Sequence, residues 1–514
     1  MSGQAAPEDA RFVRGIVLAV LATALAGIVY ELLLGTMASM LLGDSILEWS
    51  LTVGIFLAAM GIGSWLSGRI EEGTERALVL TQLGLALVGS TAPLVLFGLF
   101  ALRPDALRFV LVLVLLALGT GVGLEIPLLT RLMSQRTSLK GALASVLAVD
   151  YLGALLASLA FPLLFYPVLG LPRTAFLAAL LNLASVWLVA SDVAPRMPGA
   201  RRWRTVAVLG SLLFALGIAF GAPLSPLLSR ALYDDPVIAS HTTRYQHVVV
   251  TRDASTGAHD LFINGHLQFS SRDERRYHEA LVHPALASVP TARRVLVLGG
   301  GDGLAVRELL RYPELDAVVL VDLDPEMTEL SRTLPPLASL NGGSLDDRRV
   351  RVLNDDAMRF LRESDEAPFD VVIVDLPDPS TPALARLYTE EMYRMIAARL
   401  SPQGVMVTQA TSPYFTRASF WCVVRSVEAA GLEARPYHVW VPTFGSWGFV
   451  LAAPRLGPVP DGPRVAAEYV APPHWAAMFD FPPDMRAPDD AAPSSLMSPT
   501  LSSIYAMELR REGS

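Results

Sequence analysis

The sequence predicts a multi-span α-helical membrane bundle of about seven helices, followed by an α/β unit that pairs a small β subdomain with a Rossmann-like doubly wound sheet. The chain of 514 residues is 52% hydrophobic, which is too apolar for an ordinary soluble protein. Apolar segments long enough to cross a bilayer recur in residues 1–230. From residue 295 onward, strand-like and helix-like segments alternate, which is typical of an α/β fold.

The apolar first part contains seven candidate spans, since a helix of about 20 residues crosses the hydrocarbon core of a bilayer. They are 13–37, 48–68, 77–101, 107–132, 141–168, 172–191 and 204–227. The first is too long for a signal peptide and lacks a small-residue cleavage site. We therefore expect a multi-pass protein of the cell (inner) membrane, with the lipid bilayer as a partner.

The basic residues of the loops predict an orientation. One side carries Arg11, Arg14, Arg69, Arg76, Arg131, Arg136, Lys140, Arg196, Arg201, Arg202 and Arg204, and the other carries Arg103, Arg108 and Arg173. The positive-inside rule then places the N-terminus in the cytoplasm, and seven spans would place the second half outside. Three readings stay open: the count is wrong by one in the proline-broken stretch 141–168, the rule is overridden, or the second half is outside.

Three acids interrupt the predicted spans: Glu31, Glu125 and Asp150. Charges at membrane depth are costly, so such acids either line a proton, ion or substrate path or bond a neighbouring helix for packing. The sequence favours neither alternative.

Charge and cysteine content exclude several functions. Residues 231–514 carry 26 basic and 37 acidic residues, a balance that repels nucleic acid and favours cationic small molecules. The single cysteine, Cys422, excludes an intramolecular disulfide framework and a thiol zinc cluster. His278 and His283 lie five residues apart, not the four of a zinc helix. We therefore expect no metal and no nucleic-acid partner.

The second half divides into three predicted regions. In residues 231–290, "YQHVVVTRD" and "HDLFINGHLQFS" alternate as strands of a small β subdomain, with a turn at Asn264-Gly265. In residues 291–455, six strand segments alternate with helices: "RVLVLGG", "LDAVVLVDLD", "RVRVLNDD", "FDVVIVDLPD", "GVMVTQA" and "WGFVLAA". Residues 456–514 form a Pro-rich tail that we expect to pack in part as a cap.

The loop "GGGDG" follows the strand "VLVL" and opens a helix, so Gly299 and Gly301 let the backbone approach a ligand. The next strand ends at Asp322, where an acid accepts hydrogen bonds from ribose hydroxyls. The strand after it is followed by Asp356, which is placed to meet an adenine amine. Because Asp302 inside the loop opposes a pyrophosphate, these residues predict a nucleoside pocket of the kind that S-adenosyl compounds occupy.

Two further acids, Asp375 and Asp378, stand at the end of the fourth strand, beside the glycine loop. With Asp302 they make three carboxylates around one pocket. Carboxylates this close raise one another's pKa unless a cation compensates them. A polyamine supplies several ammonium groups, and one carboxylate can take the proton of the attacking amine.

These motifs together resemble the spermidine synthases, the polyamine aminopropyltransferases. In order along the chain they are "YQ", "DERRYHEALVHPAL", "VLVLGGGDG", "VDLD", "DDA", "DLPDP" with "PALARLY", and "VPTFGSWGFVLA". The resemblance covers about residues 240–455 and implies a methyltransferase-type sheet. It implies that decarboxylated S-adenosylmethionine donates an aminopropyl group to a diamine such as putrescine, with release of methylthioadenosine and no tightly bound cofactor.

The resemblance also implies roles for individual residues. Gln246, Asp322, Asp356 with Ala357, and Pro382 would hold the nucleoside; Tyr277, His278, Asp302 and Asp378 would hold the amine, and Asp375 would be the base. The chain departs from the family pattern at Leu304, at Leu376-Pro377, at Thr381 and at Phe444 beside Trp447. These departures affect the amine half more than the nucleoside half. The family also implies a homo-oligomer, a dimer.

Two alternatives stay open at this stage. The first keeps the nucleoside pocket but makes the chain a transferase or lyase that uses S-adenosylmethionine itself. The second makes it a polyamine transporter or sensor in which the α/β unit only binds a ligand. Since the adenosyl donor is made in the cytoplasm, we expect the catalytic unit there, against the seven-span charge count.

Overall fold

The chain forms two units in this computed structural model, which describes residues 7–42, 46–195, 197–221, 233–472 and 474–512. Internal contacts separate Met1–Val237 from Ile238–Ser514. The predicted boundary at residue 230 lies outside the described residues.

The first unit is helical. Its helices are α1 (Pro7–Leu42), α2 (Ile46–Ser67), α3 (Thr74–Leu102), α4 (Pro104–Ser134), α5 (Leu139–Ala160), α6 (Tyr166–Leu188) and α7 (Ala200–Phe220). Short π-helical turns at Phe161–Phe165 and Val189–Val193 follow α5 and α6. Gly199 stands immediately before α7, and its φ of 80° lies in the left-handed region that glycine adopts without strain.

Six helices among the described residues are long and apolar enough to cross a membrane, against the seven predicted. The difference arises in Leu139–Val193, a stretch of 55 residues that counts as one helix although a kink divides it. The run is interrupted at Gly170, where φ is 70° and ψ is 174°, two residues before Pro172. The predicted spans 141–168 and 172–191 lie on either side of this break. The last predicted span, 204–227, begins within α7, which ends at Phe220, and its residues 222–227 lie outside the described residues.

The acids of the helical unit differ in their surroundings. Glu125 on α4 is buried and accepts a hydrogen bond from Gln82 Nε2 of α3 at 2.7 Å. Glu31 and Asp150 are half-buried. The contact of Glu125 is the interhelical bond that the packing alternative expects.

The second unit contains two sheets. Strands β1 (Val237–Thr242), β2 (His247–Arg252), β3 (His259–Ile263) and β4 (His266–Ser270) form a sheet in that order, in which β3 pairs antiparallel with β2 and with β4. Asn264 and Gly265 join β3 to β4 with φ 51° and 83°, the left-handed pair of a tight hairpin turn. The predicted hairpin is confirmed, and β1 is an additional edge strand that the sequence analysis did not identify.

The larger sheet has seven strands in the order β10-β11-β9-β8-β5-β6-β7. They are β5 (Arg294–Gly299), β6 (Ala317–Asp322), β7 (Val350–Asn354), β8 (Phe369–Asp375), β9 (Leu400–Gln409), β10 (Glu433–Val441) and β11 (Gly445–Ala453). Strands β5 to β9 pair in parallel, whereas β10 and β11 are antiparallel, so the sheet is mixed. Six strands were predicted correctly, and the edge strand β10 was missed.

Helices cover both faces of this sheet. They are α8 (Glu274–Ser288), α9 (Leu304–Leu309), α10 (Pro325–Thr333), α11 (Pro335–Asn341), α12 (Ala357–Glu363), α13 (Pro382–Ala385), α14 (Glu390–Ala397), α15 (Arg417–Ala429), α16 (His474–Ala477) and α17 (Leu501–Glu512). Val295 and Val297 of β5 belong to one apolar core, and Leu296 and Leu298 belong to the other. Burial on both faces explains the continuous apolar run of this strand.

The C-terminal tail packs against this sheet, as expected of a cap. Leu501 of α17 is buried in one core, and Trp475 and Met478 are buried in the other.

The sheet topology also locates a site, because β5 and β8 are neighbours from which the chain proceeds in opposite directions. Open α/β sheets bind ligands at the carboxyl ends of two such strands.

Candidate active site

The glycine loop after β5 lies against the end of β8. Gly299 and Gly300 have φ 79° and 65°. A Cβ on Gly299 would lie 2.1 Å from the carbonyl oxygen of Asp375, so a larger residue does not fit there. The Gly300 N–H donates to that same oxygen at 3.0 Å. The loop and Asp375 therefore form one structural element at the switch point of the sheet.

Asp322 holds the other side of this loop. Its carboxylate accepts hydrogen bonds from the backbone N–H groups of Gly301 (3.0 Å) and Asp324 (2.9 Å). A Cβ on Gly301 would lie 2.6 Å from Asp322 Oδ2. Burial raises the pKa of Asp322 to about 6, although these hydrogen bonds oppose the shift. Asp322 is thus ordered before any ligand arrives.

Asp356 and Ala357 lie at the start of α12. Asp356 caps the helix by accepting from the Arg359 N–H at 3.0 Å, and it forms an ion pair with Arg386. Ala357 is buried. Pro382 is exposed as the first residue of α13, the helix that precedes Arg386. The ion pair therefore ties the segment of Pro382 to Asp356.

Gln246 lies one residue before β2 and is half-buried. Its N–H donates to Thr243 Oγ1 at 3.0 Å, and Thr243 Oγ1 donates to Asp324 Oδ2 at 2.7 Å. This chain of bonds connects the turn of Gln246 to the loop that follows Asp322. Among the predicted nucleoside residues, Gln246 is therefore connected to Asp322, as the segment of Pro382 is to Asp356.

Asp375 ends β8 and accepts a hydrogen bond from the Tyr277 hydroxyl at 2.7 Å. Burial raises the pKa of Asp375 to about 6; the charge of His278 opposes the shift and Asp302 adds to it. The Asp375 carboxyl is therefore largely ionised at neutral pH, yet basic enough to accept a proton.

His278 lies on the same helix as Tyr277 and forms an ion pair with Glu274. His278 Nδ1 lies 2.9 Å from Glu274 Oε2. Burial alone would lower the pKa of His278, but Glu274, Asp302 and Asp375 together raise it to about 9. Arg307 in turn contacts Glu274 at 2.8 Å. His278 is thus held as a cation close to Asp302 and Asp375.

Asp302 lies within the glycine loop. Its Oδ1 accepts from the Leu304 N–H at 2.8 Å, and its carbonyl accepts from Asn341 Nδ2 at 2.9 Å. Burial raises the pKa of the Asp302 carboxyl, and the His278 cation opposes that shift.

Asp378 is held by two uncharged donors. Gln409 Nε2 lies 3.3 Å from Oδ1, and the Tyr505 hydroxyl lies 2.6 Å from Oδ2. Burial raises the pKa of Asp378 to about 6, and both donors oppose the shift. The Asp378 carboxylate is therefore oriented at both oxygens.

Comparison with known proteins places this geometry in a family. Residues 274–455 match the Spermine/spermidine synthase domain. Polyamine aminopropyltransferase 2 of Ralstonia nicotianae is 45% identical over 483 residues, which are 92% of this chain and 94% of that protein. The polyamine aminopropyltransferase of Leptospira interrogans is 44% identical over 430 residues, 84% of this chain and 85% of that protein.

The chain belongs to the polyamine aminopropyltransferase family. Its activity is therefore the transfer of an aminopropyl group from decarboxylated S-adenosylmethionine, as the sequence analysis expected. A crystal structure of spermidine synthase in complex with the transition state analogue AdoDATO aligns with a TM-score of 0.45 at 25% identity, over 48% of this chain and 85% of that chain.

The aminopropyltransferase relatives share more than the catalytic domain. The 483 aligned residues of the Ralstonia protein exceed the length of Ile238–Ser514. The match to this relative therefore includes most of the first unit.

Three residues that contact the predicted site residues were missed from sequence. Glu274 stands four residues before His278, a helical spacing that was available as a signal. Gln409 ends β9, where the strand-end rule that found Asp375 also applies. Tyr505 lies in the tail, where we find no sequence signal for its contact with Asp378.

A buried cluster of Glu279, His283 and Glu308 has side-chain ligand atoms within 4.8 Å of one another, close enough to hold a metal ion. Its carboxylates already have partners. Glu279 accepts from backbone N–H groups of residues 468–470, and Glu308 pairs with Arg311 at 2.5 Å. The cluster therefore serves as a structural ion network that attaches the tail.

Proposed function

We propose that the acceptor is a diamine such as putrescine, and that it binds beside Asp302, Asp375 and Asp378. The observation that carries this proposal is the set of partners around these acids. Tyr277, Gln409 and Tyr505 are uncharged donors, and His278 is the cation close to Asp302 and Asp375, so the three acids keep a net negative charge for ammonium groups. A diamine has two such groups, separated by an apolar chain.

The donor nucleoside is assigned to the neighbouring side of the glycine loop. Asp322 would accept from the ribose hydroxyls, and Asp356 with Ala357 would contact the adenine. Gln246 and Pro382 would complete the nucleoside site, and Gly299 and Gly301 would let the nucleoside approach the backbone closely. The bonds that fix Asp322 to the loop support this assignment, because an ordered acceptor loses little entropy on binding.

Asp375 is the proposed general base. An alkylammonium has a pKa near 10.4, so the diamine arrives protonated and cannot attack. Asp375 takes one proton, and the freed nitrogen lone pair forms a bond to the carbon next to the sulfonium. The carbon–sulfur bond breaks with its electrons on sulfur, which releases neutral methylthioadenosine. Tyr277 orients the base, and the His278 cation keeps it ionised before the transfer.

Product analysis by mass spectrometry tests this function. Purified full-length protein is incubated with decarboxylated or intact S-adenosylmethionine and with diamines of increasing length. We expect methylthioadenosine and an aminopropylated diamine with the decarboxylated donor only. Transfer from intact S-adenosylmethionine would establish the alternative transferase, and absence of transfer to every amine would refute the acceptor assignment.

We also propose that the helical unit spans the cell membrane, that the catalytic unit lies in the cytoplasm, and that the protein forms a dimer. Support comes from the apolar surface of α7, where Leu209, Leu213 and Phe220 are 62%, 65% and 74% exposed. Such a surface is costly in water and favourable in lipid. The cytoplasmic assignment depends on where the donor is made.

A C-terminal reporter fusion tests the assigned side. A fused reporter that functions only in the cytoplasm should give a signal. A fused reporter that functions only in the periplasm should give none. The reverse result would overturn the cytoplasmic assignment. Size measurement of the purified protein in detergent distinguishes a dimer from a monomer.

A further inference from the structure

The C-terminal helix α17 reaches the amine side of the site from outside the matched catalytic domain. The match to the Spermine/spermidine synthase domain ends at residue 455, and Tyr505 lies fifty residues beyond it. Tyr505 is only 8% exposed, and its hydroxyl donates to Asp378 Oδ2 at 2.6 Å. A tail residue thus contacts a carboxylate assigned to the acceptor amine.

Two anchors fix the position of Tyr505. Glu508, one turn further along α17, accepts from the N–H groups of Ala418 (2.7 Å) and Ser419 (3.0 Å) at the start of α15. Leu501, one turn before Tyr505, is fully buried in the core beneath the sheet. An acidic side chain at a helix N-terminus is a favourable contact, so α17 is held on both sides of Tyr505.

The contact matters because of what else surrounds Asp378. Among the described residues, its other oxygen receives only the 3.3 Å bond from Gln409, which also donates to Leu376 O at 2.7 Å. The titratable groups that face Asp378 are Tyr277, Tyr388 and Tyr505. Tyr505 therefore makes the shorter of the two bonds that orient this carboxylate.

We propose that Tyr505 is a positioning residue for the acceptor amine, acting through Asp378, so that the C-terminal helix forms part of the amine site. The proposal rests on the amine role assigned to Asp378 above. A carboxylate held at Oδ2 keeps one orientation, with its remaining lone pairs directed at the ammonium group. Without the tyrosine hydroxyl, the carboxylate samples orientations that do not bind the amine.

The test is Tyr505→Phe in the full-length protein, which keeps the buried ring and removes only the hydroxyl. We expect the KM for the amine to rise about tenfold, the usual scale for one hydrogen bond to a charged group. We expect kcat and the KM for the donor to stay unchanged. A role confined to stability would lower the melting temperature and leave the amine KM unchanged.

A double-mutant cycle identifies the route. If Tyr505 acts through Asp378, the double variant Tyr505→Phe with Asp378→Asn should have the amine KM of Asp378→Asn alone. Tyr437→Phe is the matched control, because it removes a buried hydroxyl that donates to Ala280 O at 2.8 Å and contacts none of the site acids. That control should leave the amine KM unchanged.

The outcomes separate this inference from the proposed function. An active wild-type enzyme that is impaired by Asp378→Asn but unaffected by Tyr505→Phe refutes the role of Tyr505 alone. Additive effects in the cycle refute the route through Asp378. A wild-type protein that transfers nothing to any diamine refutes the proposed acceptor, whatever the tail does.

Discussion

The donor and amine sides of the site are built from different kinds of contact. On the donor side, Asp322 and Asp356 accept backbone N–H groups, mostly from two or three residues further along the chain. On the amine side, Asp375 and Asp378 accept from Tyr277 and Tyr505, which are 98 and 127 residues away. Turn geometry orders one side, and packing of distant helices orders the other.

This difference suggests how the two sides respond to change. A nucleoside site formed by strand ends and their turns depends on the sheet itself. An amine site formed by side chains from α8, β9 and α17 adjusts when any of these elements changes. This agrees with the sequence departures at Leu376-Pro377 and Phe444, which fall mainly on the amine half.

The largest expected effect is a loss of turnover without a loss of donor-site binding. Asp375→Asn keeps the shape of the base and removes its basicity, so turnover should fall by about 100-fold or more. Binding of methylthioadenosine, measured by calorimetry, should be nearly unchanged. Asp370→Asn is the matched control at the other end of β8, where Asp370 accepts from the Arg293 and Arg294 N–H groups. Wild-type turnover in the Asp375 variant would exclude this base.

A second substitution tests the donor side. Asp322→Ala should weaken methylthioadenosine binding by about 1.5 to 3 kcal/mol, because a charge-assisted hydrogen bond to the ribose is lost. Calorimetry measures this loss. Asp316→Asn is the matched control, because Asp316 lies just before the start of β6, the strand that Asp322 ends. This variant should bind methylthioadenosine normally, since Asp316 is exposed and pairs with Arg293. Equal affinity of the Asp322 variant and the wild type would remove this acid from the site.

The pH dependence of kcat/KM for the amine tests the amine side. Asp375 and Asp378 both have a pKa of about 6, raised by burial. Below that pH both carboxylates become protonated. Asp375 then no longer accepts a proton, and Asp378 no longer attracts the ammonium group. Activity should fall by about tenfold or more per pH unit below 6, with a slope steeper than one proton. A flat profile down to pH 5 would contradict both assignments.

The smallest expected effect concerns the exposed ion pair of Asp356. The Arg386 side chain is 44% exposed, and such pairs contribute about 0 to 1 kcal/mol. Arg386→Ala should therefore change methylthioadenosine affinity by about fivefold at most, and less at high salt. A larger loss would mean that Arg386 itself contacts the donor.

The sequence by itself determined the helical unit, the order of six strands and the acids at their ends. These features follow from local rules: apolar run length, strand alternation, and the need for glycine at Gly299 beside Asp375 O. The residues Gly301, Asp322, Asp375 and Asp378 could be placed because parallel strands end at one edge of a sheet. The family resemblance then supplied their roles.

Only the tertiary structure decided the rest. The edge strands β1 and β10 are defined by their pairing, and the non-helical backbone at Gly170 marks where the helical run Leu139–Val193 is divided. The bond from Tyr505 to Asp378 depends on where α17 docks, which is set by Leu501 in the core and Glu508 on α15. Contacts between residues this far apart leave no periodic signal, because packing of whole elements creates them.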